Sequence, residues 1–351
     1  MEIEAILRSA VEQGASDILL LAGLPLSYKI AGQIVPQSDG KLFADDTRDV
    51  LEKIYALAGR GIERFLASGD DDFSLSVAGL SRFRVNAYKQ RGSLAAVIRV
   101  VSFDLPDPKV LGIPDAVMSV AAKSRGLVLV TGPSGGGKST TLACIVDAIN
   151  RNRNCHIITL EDPIEYLYRN KCAAVSQREI AADTESYLTA LRACMRQTPD
   201  VILLGEMRDF ETIRVAMTAA ETGHLLLSTL HTVGAVNTVD RIIDVFPPAQ
   251  QQQIRVQLSM VLQTVISQQL LPTTDGGEVP AFEIMHLNSA VRNLIREGKT
   301  HQIDAVIQSS AAEGMVTMDA SVAALYNAGR ITEETAMKYA VNPDQLRRKM
   351  R

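Results

Sequence analysis

Apolar residues Ile3, Ile6, Leu7 and Ala10 recur at helical spacing, so the chain is expected to open on an amphipathic helix. Past residue 70 the period falls to two. Phe73-Ser74-Leu75-Ser76-Val77 alternates apolar and polar, as a half-buried strand does. Arg82 to Ala87 repeats the pattern, with Phe83, Val85 and Ala87 on one face and Arg82, Arg84 and Asn86 on the other. Arg91-Gly92 punctuates the run, and Leu94 to Val100 predicts a further strand carrying Arg99. Residues 1–103 therefore read as a small α+β domain.

Pro106, Pro108 and Pro114 then crowd one stretch. Proline fixes φ and removes a donor, so residues 104–115 read as a linker. From residue 116 to 351 short apolar strands alternate with helical patterns: Gly126 to Thr131, Ile157 to Leu160, Val201 to Leu204 and Leu225 to Leu227. Such alternation predicts a parallel sheet covered on both faces. Leu258, Val261, Leu262, Val265 and Ile266 recur at helical spacing, so Val256 to Thr274 is expected to be one helix face. Past Asp275-Gly276-Gly277, residues 275–351 are expected to be mostly helical.

A length of 351 residues fits two to three domains at roughly 150 each. The 46% apolar content supplies material for real cores. A net charge of −4 argues against a protein that coats nucleic acid. The basic tail Arg347-Arg348-Lys349 and Arg351 reads as a solvated terminus. Cys144, Cys155, Cys172 and Cys194 form no C-x-x-C pair, so they are expected to be reduced thiols beside apolar stretches, in a cytosolic chain. The first residues lack the basic and apolar blocks of a signal peptide. Glutamines and serines interrupt the longest uncharged stretch, so no membrane span is expected.

The sharpest chemical signal is Gly132-Pro133-Ser134-Gly135-Gly136-Gly137-Lys138-Ser139, which satisfies G-x-x-x-x-G-K-[ST]. Glycines permit a concave loop whose amides face phosphate oxygens, and the following helix start, from Thr140, favours anions. Lys138 is placed to reach the β- and γ-phosphates, and the Ser139 hydroxyl to reach Mg²⁺. The expected ligand is ATP or GTP.

Hydrolysis also needs carboxylates for water and for the metal shell. Two groups follow apolar strands, where parallel sheets place ligand contacts: Glu161, Asp162 and Glu165, then Glu206 and Asp209. Spacing alone does not choose among Glu161, Asp162 and Glu165 as the handler of water. Gly205 intervenes between the second strand and Glu206, a departure from the strict strand-then-acid pattern. His224 and His231 flank the fourth strand. They read either as polar strand ends or as sensors of the γ-phosphate.

The phosphate loop, Ile158 to Glu165, Leu204 to Asp209, and Ala220 to Thr232 resemble the ATPases of type II secretion and type IV pili. Gly14 to Asp17, Arg82 to Asn86 and Ala290 to Glu297 are similar to the retraction branch of that superfamily. The resemblance runs over nearly the whole chain. It implies a PAS-like N-terminal domain, a RecA-like P-loop ATPase domain and six subunits in a ring. Carried over by position, Gly132 to Thr140 hold ATP, with Ser139 and Glu206 toward Mg²⁺. Glu165 matches the glutamate that activates water, Glu206 the Walker B acid, and His231 the histidine-box residue with His224 beside it. Arg82, Arg84 and Arg99 match arginines that approach the phosphates. Arg292 and Arg296 fall in a segment tied to retraction rather than hydrolysis. The implied partners are an inner-membrane platform protein, the pilin fibre and a paralogous retraction ATPase. The implied place is the cytoplasm, peripheral to the inner membrane.

Gly136 stands where the family usually has Ser, and is expected to loosen the loop and weaken nucleotide affinity modestly. Val291 replaces a usual Ile, a neutral change. Two other readings stay open on the residues: an accessory partner that binds nucleotide with little hydrolysis, and a nucleic-acid translocase on the same core.

Overall fold

The computed structural model describes residues 2–101, 103 and 105–350. They form two compact units, one holding residues up to 104 with Ile164–Leu167, the other holding Leu105–Pro163 and the chain from Tyr168 onward. Asp104, the first residue of the expected linker, and Arg351 of the basic tail lie outside the described residues.

In the first unit, α1 (Ile3–Glu12) buries the four residues its spacing singled out. Strands β1 (Asp17–Leu20), β2 (Ser27–Ile30) and β3 (Gln33–Pro36) follow, then α2 (Ala44–Leu57) and α3 (Glu63–Ser68). The unit closes with β4 (Asp70–Val77), β5 (Ser81–Gln90) and β6 (Ser93–Val101). The six strands make one antiparallel sheet in the order β3-β2-β1-β6-β5-β4. Its apolar face packs Phe83, Val85 and Ile98 with Leu7, Leu51, Ile54 and Phe65 of the helices. Arg82 and Arg84 take the opposite face, as the period-two pattern requires.

The second unit begins with an irregular stretch and the short α4 (Asp115–Met118). Then come β7 (Gly126–Thr131), α5 (Lys138–Asn152), β8 (His156–Glu161), β9 (Ala174–Glu179), α6 (Tyr187–Cys194) and β10 (Val201–Leu204). They are followed by α7 (Phe210–Glu221), β11 (Leu225–Leu230), α8 (Ala235–Asp244), α9 (Pro248–Val261), β12 (Leu262–Pro272) and β13 (Glu278–His286). The sheet runs β13-β12-β7-β11-β10-β8-β9, parallel except for β13. Strands β7, β10 and β11 are buried throughout, as apolar strands with helices on both faces must be. Helices α10 (Ser289–Glu297), α11 (Ile303–Ser309), α12 (Met318–Asn327), α13 (Glu333–Lys338) and α14 (Pro343–Lys349) complete the unit. Met318, Val322, Ile331 and Leu346 pack there on Leu271, Val279 and Ala281 of the β12–β13 hairpin.

The sequence pattern misplaces three features. Val256 to Thr274 is not one helix: α9 stops at Val261, and Leu262 turns extended into β12. Thr264, Val265 and Ile266 are β-branched, and pairing on both sides outweighs their helical spacing. Asp275-Gly276-Gly277 is a hairpin turn rather than the start of a helical region, with Gly276 at φ 84 supplying the left-handed residue. Residues 105–114 belong to the second unit, where the Cys144 thiol donates to the Pro106 carbonyl at 3.4 Å. The sequence pattern also leaves elements unread, among them β1 to β3, α2 and α3 in the first unit and the polar edge strand β9, the short α6 and β13 in the second. All four cysteines are free thiols; Cys144 and Cys194 are buried, and Cys172 is exposed in the loop before β9. Among the described residues no helix is long and apolar enough to cross a membrane.

Ile266 is fully buried in β12. Ile266→Ala should cost about 2–5 kcal/mol, read as a lowered urea midpoint for the second unit. A loss under about 1 kcal/mol would mean that this side chain faces solvent.

Candidate nucleotide-binding site

The phosphate loop starts where β7 ends. Gly132 has φ 140, and a Cβ there would lie 2.1 Å from the Gln268 carbonyl oxygen, so no side chain fits. The closeness follows from register: β12 pairs Ser267 with Thr131, which sets Gln268 against the loop. At the other end Gly137, φ 78, caps α5, and a Cβ there would meet Gln268 Nε2 at 2.7 Å. The Thr141 hydroxyl donates to Gln268 Oε1 at 2.6 Å in a buried contact. Gln268 thus touches the loop at both ends and the first turn of its helix. It was missed in the sequence because its strand reads as a helix.

The Lys138 ammonium donates to the carbonyls of Gly132 (3.0 Å) and Pro133 (2.8 Å). Ser139 is exposed and Thr140 partly so, in the first turn, where helix amides lack intrahelical partners. Gly136 sits close against Pro133. Its N–H donates to the Pro133 carbonyl at 3.1 Å, its φ is not left-handed, and a Cβ would press on that oxygen at 3.0 Å. Glycine here relieves a crowded contact.

The other candidates end neighbouring strands along the same edge of the sheet. Glu161 closes β8, where its Oε1 accepts from the Thr159 hydroxyl at 2.6 Å and Gln177 Nε2 at 3.2 Å. Glu206 follows β10. Its Oε1 pairs with Arg208 at 2.5 Å, its Oε2 lies 3.3 Å from His231 Nε2, and its side chain is 12% exposed. Burial by itself would raise the Glu206 pKa, but Arg208 and His231 outweigh it and hold the carboxyl below the usual glutamate value. Arg208 was also missed in the sequence, where nothing separates it from an ordinary exposed loop arginine. Asp209 differs from Glu206 in use: it caps α7 by accepting from the Thr212 amide and hydroxyl at 2.8 and 2.7 Å.

His224 is not brought to this edge. It precedes β11, with Nδ1 2.9 Å from the Ala219 carbonyl, whereas His231 follows it. The extended chain between them spans about 20 Å, because residues flanking one strand sit at opposite sheet edges. Glu165 is exposed in the segment Ile164–Leu167, which groups with the first unit rather than with the expected 116–351 domain.

In the first unit Arg84 and Arg99 face each other in register on β5 and β6. Arg84 Nε donates to Asp72 at 3.0 Å and Arg99 Nε to Asp17 at 3.1 Å, while Arg82 donates to the Ser76 hydroxyl at 3.0 Å. The Arg84–Arg99 pair lines a hollow of about 190 Å³ with Asp17, Asp72, Asn86 and Val97.

A cavity of about 350 Å³ opens beside the start of α5 in the second unit. Gly137, Thr140, Gln268, Lys109, Glu278 and Arg330 are among its walls. Among the described residues no three His, Cys, Asp or Glu side chains converge into a metal cage. Mg²⁺ takes one or two protein oxygens and fills its shell with water and phosphate. The Ser139 hydroxyl and the Glu206 carboxylate are oxygen donors of that kind.

The parallel sheet, the glycine loop opening α5 and the acids on the same edge define a P-loop ATPase. The sequence profile of the type II/IV secretion system proteins matches residues 1–337, and the chain belongs to that family. The type IV pilus retraction ATPase PilT of Pseudomonas aeruginosa is 43% identical over 354 residues, covering 99% of this chain and all of that protein. A twitching motility protein of Neisseria gonorrhoeae is 48% identical over 276 residues, covering 78% of this chain and 74% of that one. Among solved structures, the pilus retraction motor PilT with bound ADP superposes with a TM-score of 0.88 at 45% identity, covering 99% of each chain.

Folding lowers the Glu206 pKa, so its pairing stabilises the folded chain above the ordinary 4.5 and is lost as pH falls through the lowered value. Arg208 is largely exposed, so the pair is worth at most about 1 kcal/mol. The stability gap between the native chain and Arg208→Ala should hold steady from about pH 8 to about pH 6 and narrow as pH falls below the ordinary glutamate value of 4.5. A gap that widens on acidification would contradict this pairing.

Proposed function

We propose that the chain is a ring-forming motor that hydrolyses ATP to retract type IV pili and so drives twitching motility. The observation that carries the reading is the loop Gly132 to Ser139, closed against Gln268 with Lys138 at its centre, in a chain similar to PilT over its full length. The loop amides and Lys138 bind the phosphates, and the cavity beside α5 takes the base and sugar. Mg²⁺, when bound, neutralises phosphate charge and is held through Ser139 and, by way of water, Glu206. His231 reports the state of the γ-phosphate through Glu206.

Glu165 orients the attacking water, and Arg82, Arg84 and Arg99 supply positive charge to the phosphates. Six copies form the working ring on the cytoplasmic side of the inner membrane. The ring acts on a membrane platform protein and through it on the pilin fibre, with a paralogous retraction ATPase as a further partner. Nucleic acid has no place in this reading.

The test is ATP hydrolysis by the purified chain. The native protein should release phosphate only with Mg²⁺ present. Lys138→Ala should lose nucleotide binding, whereas Glu165→Gln should still bind ATP and turn over at least ~100-fold more slowly, as expected for loss of a general base. Hydrolysis separates a motor from an accessory binding partner. A native chain that neither takes up labelled ATP nor hydrolyses it would refute the reading.

A further inference from the structure

Gly205 interrupts the strand-then-acid pattern before Glu206, and the structure shows what its missing side chain makes room for. A Cβ at Gly205 would lie 2.6 Å from the Tyr187 hydroxyl oxygen and 3.4 Å from Tyr187 Cζ. The phenol therefore ends directly over the residue that precedes Glu206. Its position is fixed from behind, because Ser186 caps α6 by accepting from the Thr189 amide at 3.2 Å. Gly205 is fixed as well: its N–H donates to the Leu160 carbonyl at 2.8 Å and its carbonyl accepts from the Thr229 hydroxyl at 2.6 Å.

The surroundings of this hydroxyl are charged. Besides the burial that raises its pKa most, the carboxylates of Asp162, Glu206 and Glu161 disfavour a phenolate, and Arg208 opposes them. The proton stays on the oxygen, so the group is a donor. Among the described residues it is not one of the buried polar atoms that lack a partner, so solvent reaches it. A solvent-reached hydroxyl beside three acids is placed to bond a water that those acids also bond.

We infer that Tyr187 is a positioning residue for the active-site water: its hydroxyl holds a water beside Glu206, in the shell that carries Mg²⁺. The inference rests on the ATPase reading and assigns that edge one more group. Tyr187 touches neither nucleotide nor metal in this scheme. It acts through the water, which both the hydroxyl and the Glu206 carboxylate can bond.

The test is Tyr187→Phe, which removes one oxygen and keeps the ring. The affinity for a non-hydrolysable ATP analogue is measured with and without Mg²⁺, alongside Tm, kcat and KM. The affinity without Mg²⁺ and Tm should be unchanged. The gain in affinity that Mg²⁺ confers, and kcat, should each fall by about threefold to tenfold, the range of one hydrogen bond. Gly205→Ala, which puts a methyl where the hydroxyl lies, should lower kcat too, and Tyr187→Phe with Gly205→Ala should fall short of the product of the two losses.

An unchanged Mg²⁺ gain and kcat in Tyr187→Phe would overturn the inference. So would equal losses of affinity with and without Mg²⁺, which signal a structural role, or fully independent losses in the double variant. If the native chain itself does not bind the analogue, the ATPase reading falls and this inference with it. Binding by the native chain with an indifferent Tyr187→Phe sinks only the inference.

Discussion

The close approach of β12 to the phosphate loop governs the geometry of the second unit. The Gln268 carbonyl lies where a Gly132 side chain would begin, and the Gln268 amide lies where a Gly137 side chain would begin. The same side chain accepts from Thr141 inside α5. A strand far along the sequence therefore sets the curvature of a loop that the local sequence only permits. Parallel pairing of β7 with β12 on one side and β11 on the other makes this contact a matter of register. A one-residue slip of β12 would replace Gln268 and turn its neighbours to the wrong faces.

From that contact the remaining edge follows by strand order. With β11, β10 and β8 laid out in turn beside β7, the residues that end those strands are His231, Glu206 and Glu161. Each lies one strand spacing, about 4.8 Å, from the next, so groups two strands apart still communicate through a side chain or a water. Glu206 shows the result. Arg208 reaches it from two residues along its own loop and His231 from the neighbouring strand. Arg208 and His231 together outweigh the burial that by itself would raise its pKa, so the acid is ionised at neutral pH.

How far this was legible in the sequence depended on whether the signal was local. The period-two run Arg82 to Ala87 and the helix of Ile3, Ile6, Leu7 and Ala10 fold as read, because one buried face is enough to declare each. The phosphate loop was legible because its chemistry requires particular residues at fixed spacing. β12 was not, since Leu258 to Ile266 satisfies a helical period across the very point where helix becomes strand. The error concealed Gln268, whose importance lies wholly in a long-range contact. His224 and His231 looked like a pair because they flank one strand, yet flanking a strand is what holds two residues apart. Tyr187 carried no motif, and the one trace of it was the unexplained glycine at 205.

The polar face of the first unit's sheet poses a separate electrostatic problem. Arg84 and Arg99 are directly opposed on neighbouring antiparallel strands, where like charges repel. The sheet tolerates them because each guanidinium has its own carboxylate, Asp72 on the outer neighbour and Asp17 on the inner. Asp17 is nearly buried while Arg99 is mostly exposed, so the acid is held by the fold and the arginine is the freer partner. Each pair gains little energy by itself, so its effect is to cancel charge on the sheet rather than to add stability. Neutralisation by Asp17 and Asp72 thus lets two cations share one small hollow. The pairing therefore depends on two aspartates, one of them in the Gly14 to Asp17 stretch that the sequence offered only as a resemblance.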